Sequence, residues 1–289
     1  CAAQVEGIGA LEIVYPDQLQ DQVPLVQQAL DEHGLVLSSL NVNIKGNPIF
    51  HRGALTSADT AVRRAAVGYL KDGLDLAPAF GIDLVTCCPL GDGFEYAFQM
   101  DYVDAWGWFI DGIREAARHR PDVRLSLEYK LNETRAHCLM GTAMSALQVC
   151  QAVDLPNVGV TVDIGHALMA LETPSLSFAQ LAHANRLFLV HINDNYRNWD
   201  WDLVSGMVNW WDWIECLLYL DKIGYDGWLV SDVMPGRLDA VPVMSSVYHA
   251  IRRGKLLLSK VDQPALWARI QAQDAQGAYD LLYAALGLA

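Results

Sequence analysis

"RLFLVHINDNYRNWDWD", residues 186–202, opens as an apolar run and ends as a cluster of amide and acidic side chains. The run is nearly continuous in Leu, Phe, Val and Ile, the pattern of a parallel strand buried on both faces. His191 stands at its end. Beyond it come Asp194, Asp200 and Asp202, the last two alternating with Trp199 and Trp201. An α/β barrel builds its site from ligand-type groups gathered just past the C-terminal ends of its buried strands.

The same reading extends in both directions. Strands are predicted at 8–14, 35–42, 82–88, 123–129, 158–164, 186–192 and 227–233. Helical patterns recur between them. Residues 57–81 read as one helix with Ser57 as N-cap and Gly81 as stop, and 101–120 as another ended by Pro121. Residues 142–153, 175–184 and 210–223 supply three more, and only helical patterns follow the last strand.

Seven βα repeats without a linker predict an α/β fold of the (β/α)8 TIM-barrel type. Closing the ring takes an eighth strand. It is expected upstream of residue 1, because the chain opens on Cys1 in what reads as the tail of a helix. A doubly wound sheet is the rival, but no glycine-rich phosphate loop follows an early strand. Residues 1–240 are assigned to a metal-dependent barrel, and 241–289 to a C-terminal helical extension of the same domain.

Four successive strand ends carry ligand-type residues: Glu128, Asp163, His191 and Asp232. Singly, each has a plain explanation, since aspartates cap loops and a lone histidine packs in cores. Jointly, three carboxylates in one mouth repel one another unless a cation neutralises them. Oxygen ligands with one imidazole suit Mn²⁺ best, with Mg²⁺ or Co²⁺ as substitutes. No organic cofactor is expected. His166, Asp200 and Asp202 form a second cluster, with Asp163 placed to bridge; alternatively Asp200 and Asp202 lie on a solvated loop.

The net charge of −14 disfavours nucleic acid, whose binding rests on Lys and Arg. No apolar run reaches membrane-span length and no signal-peptide pattern opens the chain. A cytoplasmic location is expected. The six cysteines show no CxxC spacing and read as free thiols, with Cys87 and Cys88 on opposite faces of one strand.

At Glu128-x-Lys130, Asp163-x-x-His166, His191, Asp200-x-Asp202 and Asp232 the chain resembles the xylose isomerase-like superfamily of sugar isomerases and epimerases. The resemblance runs from "EGIGALEIVYP" to "IGYDGWLVSDVMP" and is closest to the two-metal aldose–ketose isomerases, L-rhamnose isomerase among them. It implies a divalent-metal-dependent sugar isomerase moving a hydride or proton between C1 and C2. Glu128, Lys130, His166 and Asp232 would be catalytic. Lys130 and His166 would also touch the sugar. By residue type, apart from the resemblance, Trp199 and Phe94 are candidate sugar walls and His51 a candidate acid–base group. The implied alternatives are a ketose 3-epimerase and the metal-bearing subunit of a C-glycoside deglycosidase-type lyase, which needs a small partner subunit. Ketose 3-epimerases lack the Asp-x-Asp pair and carry Glu in place of Asp232. A non-catalytic sugar-binding barrel is the alternative from outside enzymes. The resemblance also implies a homo-oligomer.

Overall fold

The computed structural model describes residues 2–19 and 22–288. Cys1 therefore lies outside the described residues. Every predicted strand forms: β1 (Ala10–Tyr15), β2 (Val36–Val42), β3 (Leu84–Cys87), β5 (Arg124–Glu128), β8 (Val158–Asp163), β9 (Leu187–Ile192) and β10 (Leu229–Ser231). Three strands too short to show periodicity, β4 (Gly93–Phe94), β6 (Asn132–Glu133) and β7 (Ala136–Cys138), were not foreseen.

The predicted strands form a 7-stranded parallel sheet in the order β1-β2-β3-β5-β8-β9-β10, so neighbours in the chain are neighbours in the wall. The short strands make an antiparallel sheet, β4-β7-β6. Helices α1 (Val23–His33), α2 (Thr60–Leu76), α3 (Tyr102–His119), α4 (Ala143–Val153), α5 (Ile164–Met169), α6 (Pro174–His183) and α7 (Trp210–Lys222) alternate with the strands. This is a TIM-barrel architecture in a nearly closed ring. Val158, Val160 and Val162 of β8 are all fully buried beside buried Val149 of α4 and Phe178 of α6, as expected where helices cover a parallel sheet.

Among the described residues β1 and β10 do not pair with each other. At that place the chain before β1 rests on α8 (Ala240–Lys260). Ser245 Oγ accepts the Glu6 backbone N–H at 3.0 Å, and His249 Nε2 lies 2.9 Å from Glu6 Oε2. The expected strand upstream of residue 1 lies outside the described residues.

Two local expectations are corrected. The helix predicted from Ser57 starts at Thr60, capped by Asp59, whose side chain accepts from the Ala61 backbone N–H. Ser57 Oγ instead accepts the Asp59 N–H at 3.2 Å. Both residues are good caps, and the one nearest the first helical turn wins. β3 ends at Cys87, so Cys88 leaves the strand alternation and faces the cavity instead of packing behind the sheet.

The tail continues as α9 (Gln263–Gln271) and α10 (Ala275–Ala285). Its aromatic residues pack on α7: Trp211 meets Tyr279 and Tyr283 edge-on at 5.2 and 5.3 Å, and Tyr219 meets Trp267 at 5.6 Å. Trp213 is a core residue whose indole N–H donates to the Ala250 carbonyl. Among the described residues no helix is long and apolar enough to cross a membrane.

Candidate metal centre

The barrel register sets the site. Asp163 of β8 pairs with His191 of β9, and Glu128 of β5 pairs with Thr161 of β8, so three of the four strand-end residues stand side by side at one end of the sheet. Asp232 follows directly on β10. Ligand atoms of Glu128, Asp163, His191 and Asp232 all lie within 4.8 Å of one another, as do those of Asp163, His166 and Asp200. Asp163 belongs to both groups. Asp202 does not join the second group, although it lines the same cavity of about 720 Å³ with Lys130, His166 and Asp200.

Each side chain is held in place by its surroundings. The Asp163 carboxylate caps α5 by accepting the His166 N–H at 2.7 Å, and takes a second bond from Asn193 Nδ2 at 2.9 Å. Asn193 Oδ1 in turn accepts the Gly165 N–H at 2.6 Å. A Cβ at position 165 would sit 2.5 Å from that oxygen, so only glycine lets this strand-to-helix turn close on Asn193. His166 places Nδ1 3.2 Å from Glu128 Oε1 and Nε2 3.2 Å from Asp200 Oδ2. His191 places Nδ1 3.4 Å from Glu128 Oε2. Lys130 is 8% exposed, with Nζ 2.8 Å from Asp200 Oδ2 and 3.0 Å from Glu133 Oε2.

The donor set fits a cation. His166 Nδ1, His191 Nδ1 and Asp200 Oδ1 are buried without an aligned hydrogen-bond partner, and all three belong to residues of the two clusters. Native interiors rarely leave such atoms unsatisfied without a functional reason. The electrostatics agree. Burial pushes the Asp163 carboxyl up to about 7; His166 pulls it down, and Glu128, Asp232 and Asp200 add to the rise. Burial, then Asp200, Asp232 and Asp163, push Asp202 up to about 8. Burial also opposes ionisation of Glu128, but His191 and His166 outweigh it and hold that carboxyl well below its ordinary range. For both histidines burial is overcome by facing carboxylates, chiefly Asp163 for His166 and Glu128 for His191, and their pKa rises well above the ordinary value. Without an ion, protons balance the charge.

Sequence reasoning missed three contributors. Glu12 of β1 lies 3.2 Å from His191 Nε2. Glu133 of β6 holds Lys130 and pairs with Lys45 at 3.3 Å. Cys88 lies with Glu128 and His166 in a further group whose ligand atoms converge. Other candidates stand elsewhere. His51 is on an exposed loop, its Nδ1 2.8 Å from the Pro48 carbonyl oxygen. Phe94 packs on Tyr102 and His137, and Trp199 is exposed; none of the three lines the cavity. Asp194 belongs to none of the convergent groups. It organises the loop after β9 by accepting the backbone N–H groups of Val208 and Asn209.

Residues 2–243 match the sequence model of the family described as the xylose isomerase-like TIM barrel. The chain belongs to that family. A xylose isomerase of Thermus thermophilus is 29% identical over 219 residues, which is 73% of this chain and 57% of that enzyme. The chain thus spans little more than half the length of that curated relative. Among solved structures, a D-allulose 3-epimerase from Methylomonas sp., in complex with D-allulose, superposes with a TM-score of 0.71 at 18% identity, covering 87% of this chain and 88% of that one. A D-tagatose 3-epimerase-like protein gives 0.69 at 22%, covering 85% and 89%, and an L-ribulose 3-epimerase 0.70 at 19%, covering 86% and 84%. At these identities the structural likeness speaks for the fold.

Proposed function

We propose that this family member is a divalent-metal-dependent sugar isomerase that interconverts an aldose and a ketose. The supporting observation is the convergence of the two acidic groups, sharing Asp163, beside a buried lysine ammonium in one cavity. A bound divalent cation, Mn²⁺ by ligand type, would stabilise negative charge on two adjacent sugar oxygens. Glu128, Asp163, His191 and Asp232 would hold it, and Asp163, His166 and Asp200 would hold a second.

The protein's own groups do the rest. Lys130, its charge fixed by Asp200 and Glu133, donates N–H to the carbonyl oxygen at C1 as charge grows there. Hydride passes from C2 to C1 as the C2 hydroxyl loses its proton and becomes the new carbonyl. The C1 oxygen ends as a hydroxyl, so the exchange is balanced within one sugar. Asp202 would carry the hydroxyl proton, a role supported by its side chain having, among the described residues, only a long 3.4 Å hydrogen bond, from Asn193.

A second reading follows from Glu128 and Asp232, two carboxylates reaching one group from β5 and β10. Such a pair can deprotonate and reprotonate C3 from opposite faces, the inversion that a ketose 3-epimerase performs. A panel of free aldoses and ketoses, incubated with Mn²⁺ in D2O, separates the readings. Hydride transfer gives the isomeric sugar with no solvent deuterium on carbon; epimerisation labels C3. A panel with no turnover under any divalent cation defeats both.

A further inference from the structure

We infer that Glu12 is a positioning residue that selects the His191 tautomer able to bind the ion. The inference rests on the metal-site reading above. Glu12 belongs to β1, lines the same cavity facing His191 Nε2, and takes no part in the two metal groups. Its Oε1 accepts from Ser39 Oγ at 2.7 Å and from Thr86 Oγ1 at 2.6 Å, and Thr86 Oγ1 accepts in turn from Asn41 Nδ2 at 3.0 Å. Hydroxyl donors on one oxygen leave the other, Oε2, for His191 Nε2 at 3.2 Å. A carboxylate set among donors in this way is an acceptor only.

The imidazole is thus bracketed. Nδ1 faces Glu128 at 3.4 Å and Asp232 at 3.9 Å, whereas Nε2 faces Glu12, and both nitrogens are buried without an aligned hydrogen-bond partner. A neutral histidine carries one N–H and one lone pair. Glu12 can only accept, so the N–H belongs on Nε2 and the lone pair on Nδ1, which faces the other ligands. With the tautomers reversed, a lone pair would meet the Glu12 carboxylate and an N–H would point at the ion. Holding a largely buried carboxylate in the barrel mouth, its side chain 13% exposed, is costly for the fold alone. Setting a metal ligand explains why the cost is tolerated, because carboxylates behind ligating histidines fix ring orientation and ligand basicity.

The test compares wild type with Glu12→Gln, titrated with Mn²⁺ by calorimetry, and records ¹⁵N-histidine spectra of the wild type loaded with Mg²⁺ or Zn²⁺. The expected result is an Mn²⁺ affinity about 10- to 100-fold weaker in the variant, an ion-free melting curve that keeps its cooperativity, and wild-type His191 protonated on Nε2. If Glu12→Gln does not fold, Glu12→Asp keeps the charge while drawing it back from the ring, and the same loss is expected. Equal Mn²⁺ affinity in wild type and a folded variant overturns the inference, as does an Nδ1–H tautomer in the loaded wild type. A wild type that binds no divalent cation overturns the metal reading itself, which distinguishes the two failures.

Discussion

Replacing Glu128 by Gln lowers turnover by about a thousandfold or more, while the barrel still folds. Glu128 is the last residue of β5, buried, and in contact range of both His166 and His191. The substitution keeps shape and removes one negative charge from the first ligand group. A Lewis-acid contribution of several kcal/mol is lost with the ion it helps to hold, and each tenfold in rate is about 1.4 kcal/mol. The fold survives for a specific reason. Removing the Glu128 charge takes away the strongest carboxylate influence on His191, but Glu12 still faces its Nε2 at 3.2 Å, so the ring keeps an acceptor and no buried cation is left unpaired. Steady-state kinetics with a saturating sugar, together with thermal melts with and without Mn²⁺, check this. The variant should melt cooperatively and lose most of the wild-type gain on adding Mn²⁺. Wild-type turnover in the variant would remove Glu128 from the site.

The barrel was legible because parallel strands covered on both faces leave runs such as Val158–Asp163, in which every residue is buried. The four converging strand-end residues were legible for the same reason: a polar residue ending an apolar run marks the barrel mouth. Glu12 left a weaker signal. It sits mid-strand between Leu11 and Ile13, where alternation reads as one solvated face, but in a barrel that second face lines the interior. Here the interior layer is polar, with Ser39, Thr86, Ser126 and Thr161 buried in it, so a strand-interior acid belongs to the site. Glu133 was hidden because β6 and β4 have two residues each and are linked through β7, with Gly93 opposite Cys138. Pairing at that separation leaves no local pattern. Trp199 and Phe94 show the opposite failure. Their residue type suits a sugar wall, but side-chain direction on a rim loop is set by packing that composition does not encode.

Affinity for Mn²⁺ should rise steeply with pH, by about a hundredfold per unit in the acid range and about tenfold per unit once Asp163 has ionised. An ion in the first group requires Asp163 ionised and His191 Nδ1 free of its proton. In the ion-free protein, burial and the neighbouring carboxylates put the Asp163 carboxyl at about 7, and His191 holds its proton well above the ordinary histidine value. Below about 7, binding therefore displaces these two protons, with Asp232, also raised by burial, adding to the count at lower pH, and above about 7 it displaces one. Calorimetry in buffers of different ionisation enthalpy counts them directly. The stability of the ion-free protein carries the complementary sign. Asp163, His166 and His191 all bind protons more tightly folded than unfolded. Their contribution is complete at low pH and is lost as pH rises, for Asp163 between about 4 and 7 and for the histidines above their ordinary value. Glu12, Glu128 and Asp200 are held low, so their contribution is already in place above the ordinary carboxylate range and does not change across this window. The melting temperature without Mn²⁺ should accordingly fall from pH 5 to 9, and the gain on adding Mn²⁺ should grow over the same interval. A proton count near zero at pH 6 would mean that the ion does not enter among these carboxylates and His191.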